Sequence, residues 1–228
     1  MNTSTAESPT VGCYATLQIM LIKIKRQDCL DKYPKFPLRE YDFRKDEEEY
    51  YYPKVFKSYV LTLHSKSLKG HTKLLASELS NLTKKLNFTS LIFLGDNKSY
   101  WLTKLSLERN DYKLLVDALN YFLDNKVRKG FNGGLEVDNH ALSTFIKHFY
   151  CLVRCDASLP YFHFMDKEQS FIGSICQYGN LHFDTLNKKT DELLKKALNE
   201  SQFVNVVDRK CFSSFSETSA IKTRQTNV

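Results

Sequence analysis

SYVLTLHSKSLKGHTKLLASELSNLTKKLNFTSLIFLGDNKSYWLTKLSLERNDYKLLVDALNYFLDNKVRKGFNGGLEV, the stretch Ser58–Val137, decides the fold. Tyr59, Leu61 and Leu63 alternate with Val60, Thr62 and His64, the period of a strand. Beyond Gly70, Leu75, Leu79, Leu82 and Leu86 share one face of a helix whose other face carries Lys73, Ser77, Lys84 and Lys85. Thr89 to Leu94 is a short apolar run, and Gly95-Asp96-Asn97 suits a hairpin turn. Ser99 to Leu107 then alternates as the return strand. Asn110 is a candidate N-cap with Asp111 in the first turn, before an apolar stripe of Leu115, Ala118, Leu119, Phe122 and Leu123. Gly130 suits the C-terminal end of that helix, and Leu135 to Val137 closes the sheet. Strand, helix, strand, strand, helix, strand is the order of a ferredoxin-like split β-α-β core. The expectation is a four-stranded antiparallel sheet with helices His71–Asn87 and Asp111–Arg128 on one side.

The flanks extend this core. Asp138 caps a helix with the stripe Leu142, Phe145, Ile146, Phe149, Leu152 and Val153, limited by Pro160. Tyr161 to Met165, Ser170 to Cys176 and Leu181 to Asp184 read as a β-meander, Thr190 to Leu198 as a helix and Phe203 to Val207 as a final strand. With 228 residues, 42% of them apolar, and only eight Gly and five Pro, the chain has material for a large core and no evident linker. It reads as a single α/β domain over residues 10–211, with its core at residues 58–137 and disordered tails at residues 1–9 and 212–228.

The longest apolar run, Thr16 to Ile24, is too short for a membrane span and ends in Lys23, Lys25 and Arg26. The start does not resemble a secretory signal, so the expected location is cytoplasmic, with the six cysteines as free thiols and no membrane partner. Neither a nucleophile elbow nor a glycine-rich phosphate loop is present, so no cofactor and no catalytic residue is indicated. His148, Cys151 and Cys155 are zinc-type ligands at helical spacing. The first and last stand about 10 Å apart, too far for one ion, and no metal is expected there.

The net charge of +7 suits an acidic partner. The expected function is non-enzymatic binding of DNA or RNA through backbone phosphates, by Lys66, Lys69, Lys73, Lys84, Lys85, Lys98, Lys104, Arg128 and Lys129. Trp101, with Tyr59 or Tyr100, is the candidate for base stacking on an open sheet face. The alternative is a protein-binding inhibitor, antitoxin or immunity-like factor that recognises an acidic protein. Its surface would use aromatics from Tyr50-Tyr51-Tyr52, Phe56, Tyr161, Phe162 and Phe164.

Overall fold

The computed structural model describes residues 21–208, 210–213 and 215. The expected tail at residues 1–9, Cys13 and residues 216–228 lie outside the described residues. The elements in chain order are β1 (Ile22–Ile24), α1 (Arg26–Lys32), β2 (Leu38–Asp42), β3 (Glu47–Tyr51), β4 (Lys57–Thr62), α2 (Leu68–Lys85), β5 (Ser90–Gly95) and α3 (Lys104–Leu107). They continue with α4 (Lys113–Asp124), β6 (Gly134–Asp138), α5 (Asn139–Cys155), β7 (Phe162–Met165), β8 (Phe171–Ile175), β9 (Leu181–Thr185), α6 (Lys188–Asn199) and β10 (Val204–Asn205).

Helix starts follow their capping chemistry. The Ser67 side chain accepts from Gly70 N–H, the Asp138 carboxylate from His140 and Ala141 N–H, and the Asn187 side chain from Thr190 N–H. Gly70, which the expected helix His71–Asn87 left outside, therefore sits in the first turn of α2. Asn110 caps nothing, because α4 starts at Lys113 after Tyr112.

The described strands form an eight-stranded sheet in the order β1-β6-β5-β7-β8-β9-β4-β10, antiparallel at every pairing, and a separate β2-β3 hairpin. The chain is thus mixed α/β with a large antiparallel sheet, and a four-stranded ferredoxin-like core is not what it forms. Two features break that expectation. Ser99 to Leu107 is not a strand, because the place it would fill is taken by β6 on one edge of β5 and by β7 on the other. Its alternation has another cause. Trp101 turns into the core and donates from Nε1 to the Gly133 carbonyl at 2.8 Å, while Thr103 caps the short α3. Secondly, the meander β7-β8-β9 enters between β4 and β5, strands that the sequence reading had placed in one small sheet.

The pairings fix the crossovers. β6 and β7 both run antiparallel to β5, so they are parallel to each other and α5 crosses over β5 to join them. Four antiparallel steps separate β4 from β5, so these are parallel too, and α2 spans the meander. Side chains of α2, α4 and α5 share one buried cluster with Leu61, Phe93, Phe164, Phe171 and Phe183. The two helices expected on one side do lie there. Phe93 is at the centre of this cluster, with ring centroids 4.6 Å from Phe145, 5.4 Å from Phe149 and 4.9 Å from Phe164.

The opposite face has a smaller apolar cluster, in which Cys29, Tyr33 and Phe36 cover Ile92, Leu94, Met165 and Ile172. Among the described residues no helix is long and apolar enough to cross a membrane.

Gly173 faces Phe164 across the β7-β8 pair, and a Cβ there would lie 2.3 Å from the ring. Gly173→Ala is expected to destabilise the chain by about 1–3 kcal/mol through overpacking. Urea denaturation measures this, and a midpoint unchanged from the parent protein would contradict it.

Candidate functional site

Period-two alternation in the meander separates two kinds of side chain. Phe162, Phe164, Phe171, Ile175, Leu181 and Phe183 point to the helices. Tyr161, His163, Ser174, Cys176, His182 and Asp184 therefore share the other face. Register aligns them in rows. His163 pairs with Leu94, Ser174 with His182, and His182 with Val60. The Phe164–Gly173 pair puts His163 opposite Ser174.

This polar stretch is partly roofed by Tyr52 and by Arg39 of β2. The Tyr52 hydroxyl donates to the Asp184 carboxylate, and the Tyr161 and Ser174 hydroxyls are 3.0 Å apart. Arg39 Nε lies 3.1 Å from the buried Asp96 carboxylate, which also accepts from Tyr161 N–H. Beside these residues is a cavity of about 420 Å³, lined in part by Arg39, Tyr161, Gln177 and the group Cys176, His182 and Cys211. The ligand atoms of that group all lie within 4.8 Å of one another.

His163 is 2% exposed, and among the described residues neither ring nitrogen has a hydrogen-bond partner. Burial, then the neighbouring His182, pushes its pKa down to about 3. Cys176 is lowered from the ordinary thiol range, chiefly by a hydrogen bond from Cys211, with His182 acting in the same direction against burial. Cys211 is raised correspondingly, because it keeps the shared proton.

A second concavity lies on the helical layer. α5 packs between α2 and α4, and a cavity of about 210 Å³ opens over it. Leu68, Tyr112, Leu114, Cys151 and Cys155 give it an apolar lining, and Lys69, Lys73 and Lys147 stand at it against one carboxylate, Asp117. Arg154 also lines it, but its guanidinium donates to the Gln177 carbonyl and lies over the Phe215 ring.

His148, Cys151 and Cys155 lie along this same cavity. The His148 ring stacks on Tyr121 at 4.3 Å, and a hydrogen bond with Cys155, together with burial, holds the Cys151 thiol above the usual range.

The expected phosphate contacts separate into groups. Lys66, Lys69 and Lys73 are exposed at the N-terminal end of α2. Lys84 and Lys85 are at its other end, about 16 Å further along the axis from Lys73. α2 and α4 both bring their N-terminal residues to the groove, so Arg128 and Lys129, which follow α4 beyond the Lys126 carbonyl that Lys23 of β1 contacts, lie away from it and apart from Lys84 and Lys85. Lys85 pairs with Glu200 at 3.2 Å, Lys98 with Glu40 at 3.8 Å and Lys104 with Glu108 at 3.7 Å. Among the described residues Lys66, Lys69, Lys73 and Lys147 have no ion pair.

Trp101 is 1% exposed, with ring centroids 4.2 Å from Phe162 and 5.9 Å from Phe122, so its faces are filled by protein and hold no base. Tyr59 is buried on the helix side, where its hydroxyl donates to Asp191, while Tyr100 is exposed.

Lys147 and the grouping of Cys176, His182 and Cys211 are absent from the sequence reading of sites. Alternation across Tyr161–Asp184 was the available signal for His163, Cys176 and His182. No local pattern indicates Cys211, 29 residues from His182. Comparison of the chain with family models, curated proteins and solved structures returns no match.

The buried neutral His163 implies a pH dependence. Its pKa in the folded chain lies below the ordinary 6.5, so the unfolded chain binds the proton more tightly. Its contribution to stability is complete above pH 6.5 and declines as pH falls towards about 3. His182, Tyr52 and Tyr161 face the ring, and none supplies a compensating negative charge in this range. Relative to His163→Leu, the parent protein is expected to lose up to about 1.4 kcal/mol per pH unit in that window. Urea unfolding of both proteins at a series of pH values checks this, and parallel curves would refute it.

Proposed function

We propose that the chain binds nucleic acid non-enzymatically, through backbone phosphates set along the groove between α2 and α4. The supporting observation is the set Lys66, Lys69, Lys73 and Lys147. These exposed ammonium groups lack ion pairs among the described residues, and three of them line one apolar concavity. An ammonium group not already paired can replace a condensed counterion on a phosphate without first losing a carboxylate partner. The apolar floor beside Tyr112 and Leu114 accepts a sugar or the face of an unstacked base, which favours single strands. Lys84 and Lys85, with Lys85 paired to Glu200, and Arg128 and Lys129, close to the Lys126 carbonyl that Lys23 of β1 contacts, lie away from this groove and form no part of it.

A second reading rests on the β2-β3 hairpin. Tyr41, Phe43, Tyr50 and Tyr51 are exposed on it, with Phe56 just beyond. Such aromatics suit the centre of a protein interface. The neighbouring expectation fails for Phe162 and Phe164, which are buried in the core. A pull-down with and without nuclease separates the readings. Loss of the captured material on nuclease treatment favours the groove, and a nuclease-resistant stoichiometric partner favours the hairpin.

The groove reading makes a quantitative statement. Affinity for a single-stranded oligonucleotide is expected to fall linearly on a log-log plot against salt, with a slope of about −0.7 per phosphate neutralised. The triple change Lys69→Glu, Lys73→Glu and Lys147→Glu should flatten that slope by about 2 or more. Lys98→Glu with Lys104→Glu should leave the slope nearly unchanged. Fluorescence anisotropy across a salt series measures both, and equal slopes for the two variants would count against the groove.

A further inference from the structure

Two cysteines and a histidine converge at the end of the meander. Cys176 directly follows β8, and its N–H donates to the Asn180 carbonyl at 3.0 Å. Gly179, at φ +83, completes the tight turn and donates to the Cys176 carbonyl at 2.9 Å. That turn sends the chain back as β9, so His182 emerges on the same face as Cys176 and one row away. The third member comes from the segment after β10. Asn180 Nδ2 donates to the Phe212 carbonyl at 2.9 Å and so ties that segment to the turn, while Cys211 Sγ lies 3.1 Å from His182 Nε2.

We infer that Cys176, His182 and Cys211 form a binding site for one zinc-type divalent ion. Thiolate sulfur and imidazole nitrogen are the donors such borderline-soft ions prefer. In a tetrahedral site with bonds of about 2.0–2.3 Å, neighbouring ligand atoms stand roughly 3.3–3.8 Å apart. The three atoms here lie within 4.8 Å of one another, so small side-chain rotations bring them onto one ion. The backbone that carries Cys176 and His182 is already fixed by the turn and the β8-β9 register.

Charge is consistent with this assignment. Binding takes up both cysteines as thiolates and releases to solvent the proton that the pair shares, and two thiolates then neutralise the divalent charge. The filled site thus carries no net charge close to Arg39, which is itself paired with Asp96. The three protein ligands leave a fourth tetrahedral position for a water or an exogenous ligand, supplied from the cavity of about 420 Å³ that the three residues line. The site is also a clasp, because one ion would join the meander to the segment after β10.

The test uses the full chain, reduced and freed of metal, titrated with Co²⁺ and then with Zn²⁺. The expected result is one Co²⁺ per chain with a thiolate-to-cobalt charge-transfer band and tetrahedral ligand-field bands, all displaced by an equivalent of Zn²⁺. Zinc should also raise the melting temperature of the chain. Cys176→Ser and Cys211→Ser should each weaken binding by on the order of a hundredfold or more, because a ligand is removed outright. Cys29→Ala, at a buried thiol on α1, should bind like the parent protein. Far-UV circular dichroism establishes that each variant is folded. If a serine variant is not folded, the cobalt spectrum and zinc-dependent melting of the parent chain decide alone. Absence of the charge-transfer band in the reduced parent chain overturns the inference, even if Cys176 and Cys211 are found to oxidise to a disulfide. Persistence of the band in both folded serine variants overturns it equally.

Discussion

β5 is the strand on which the rest of the molecule depends. Every residue from Ser90 to Gly95 is buried, so the strand must be covered on both faces and paired on both edges. Phe93 anchors the helical side against Phe145 and Phe149, and this requires α5 to cross directly over β5. Ile92 and Leu94 face the other way and bring Tyr33 and Phe36 down onto the sheet. β6 and β7 then close the two edges. Burial of this kind contributes about 1.5–3 kcal/mol for each large apolar side chain, which is why a central strand organises its neighbours.

The same constraint separates two surfaces. On the helical side the outward faces of α2, α4 and α5 leave an apolar groove, around which lysines have no ion pair among the described residues. On the other side the apolar cover over Ile92 and Leu94 gives way to tyrosine, histidine and cysteine side chains along β7, β8 and β9. A polar cluster on a sheet face has a cost unless its groups find partners. Asp184 and Asp96 have theirs in Tyr52 and Arg39, whereas His163 remains neutral and unpaired. The groups with chemical capacity are therefore concentrated where the meander meets the segment that follows β10. Phe212 and Phe215, read from sequence as tail, are packed there against Asn180 and His71.

Sequence alone determined most of the elements. The stripes of α2 and α5, the Asp138 cap, the three meander strands and α6 are all local patterns, set by the 3.6 and 2.0 residue periods of helix and strand. Ser99–Leu107 misled because alternation also arises where a Trp turns inward and a Thr-capped helical turn follows. The basic residues around α2 were legible as charge, and the tyrosine, histidine and cysteine face was present in the alternation of Tyr161 to Asp184. What only the tertiary structure decided is which strands adjoin. Pairing is a long-range choice, set by which edges can bury β5 completely, and it inserted β7, β8 and β9 between β4 and β5. It decided also which lysines share a groove and which are matched with carboxylates. The meeting of Cys211 with Cys176 and His182 follows from the same long-range choice, because no local period connects the β8-β9 turn with the segment that follows β10.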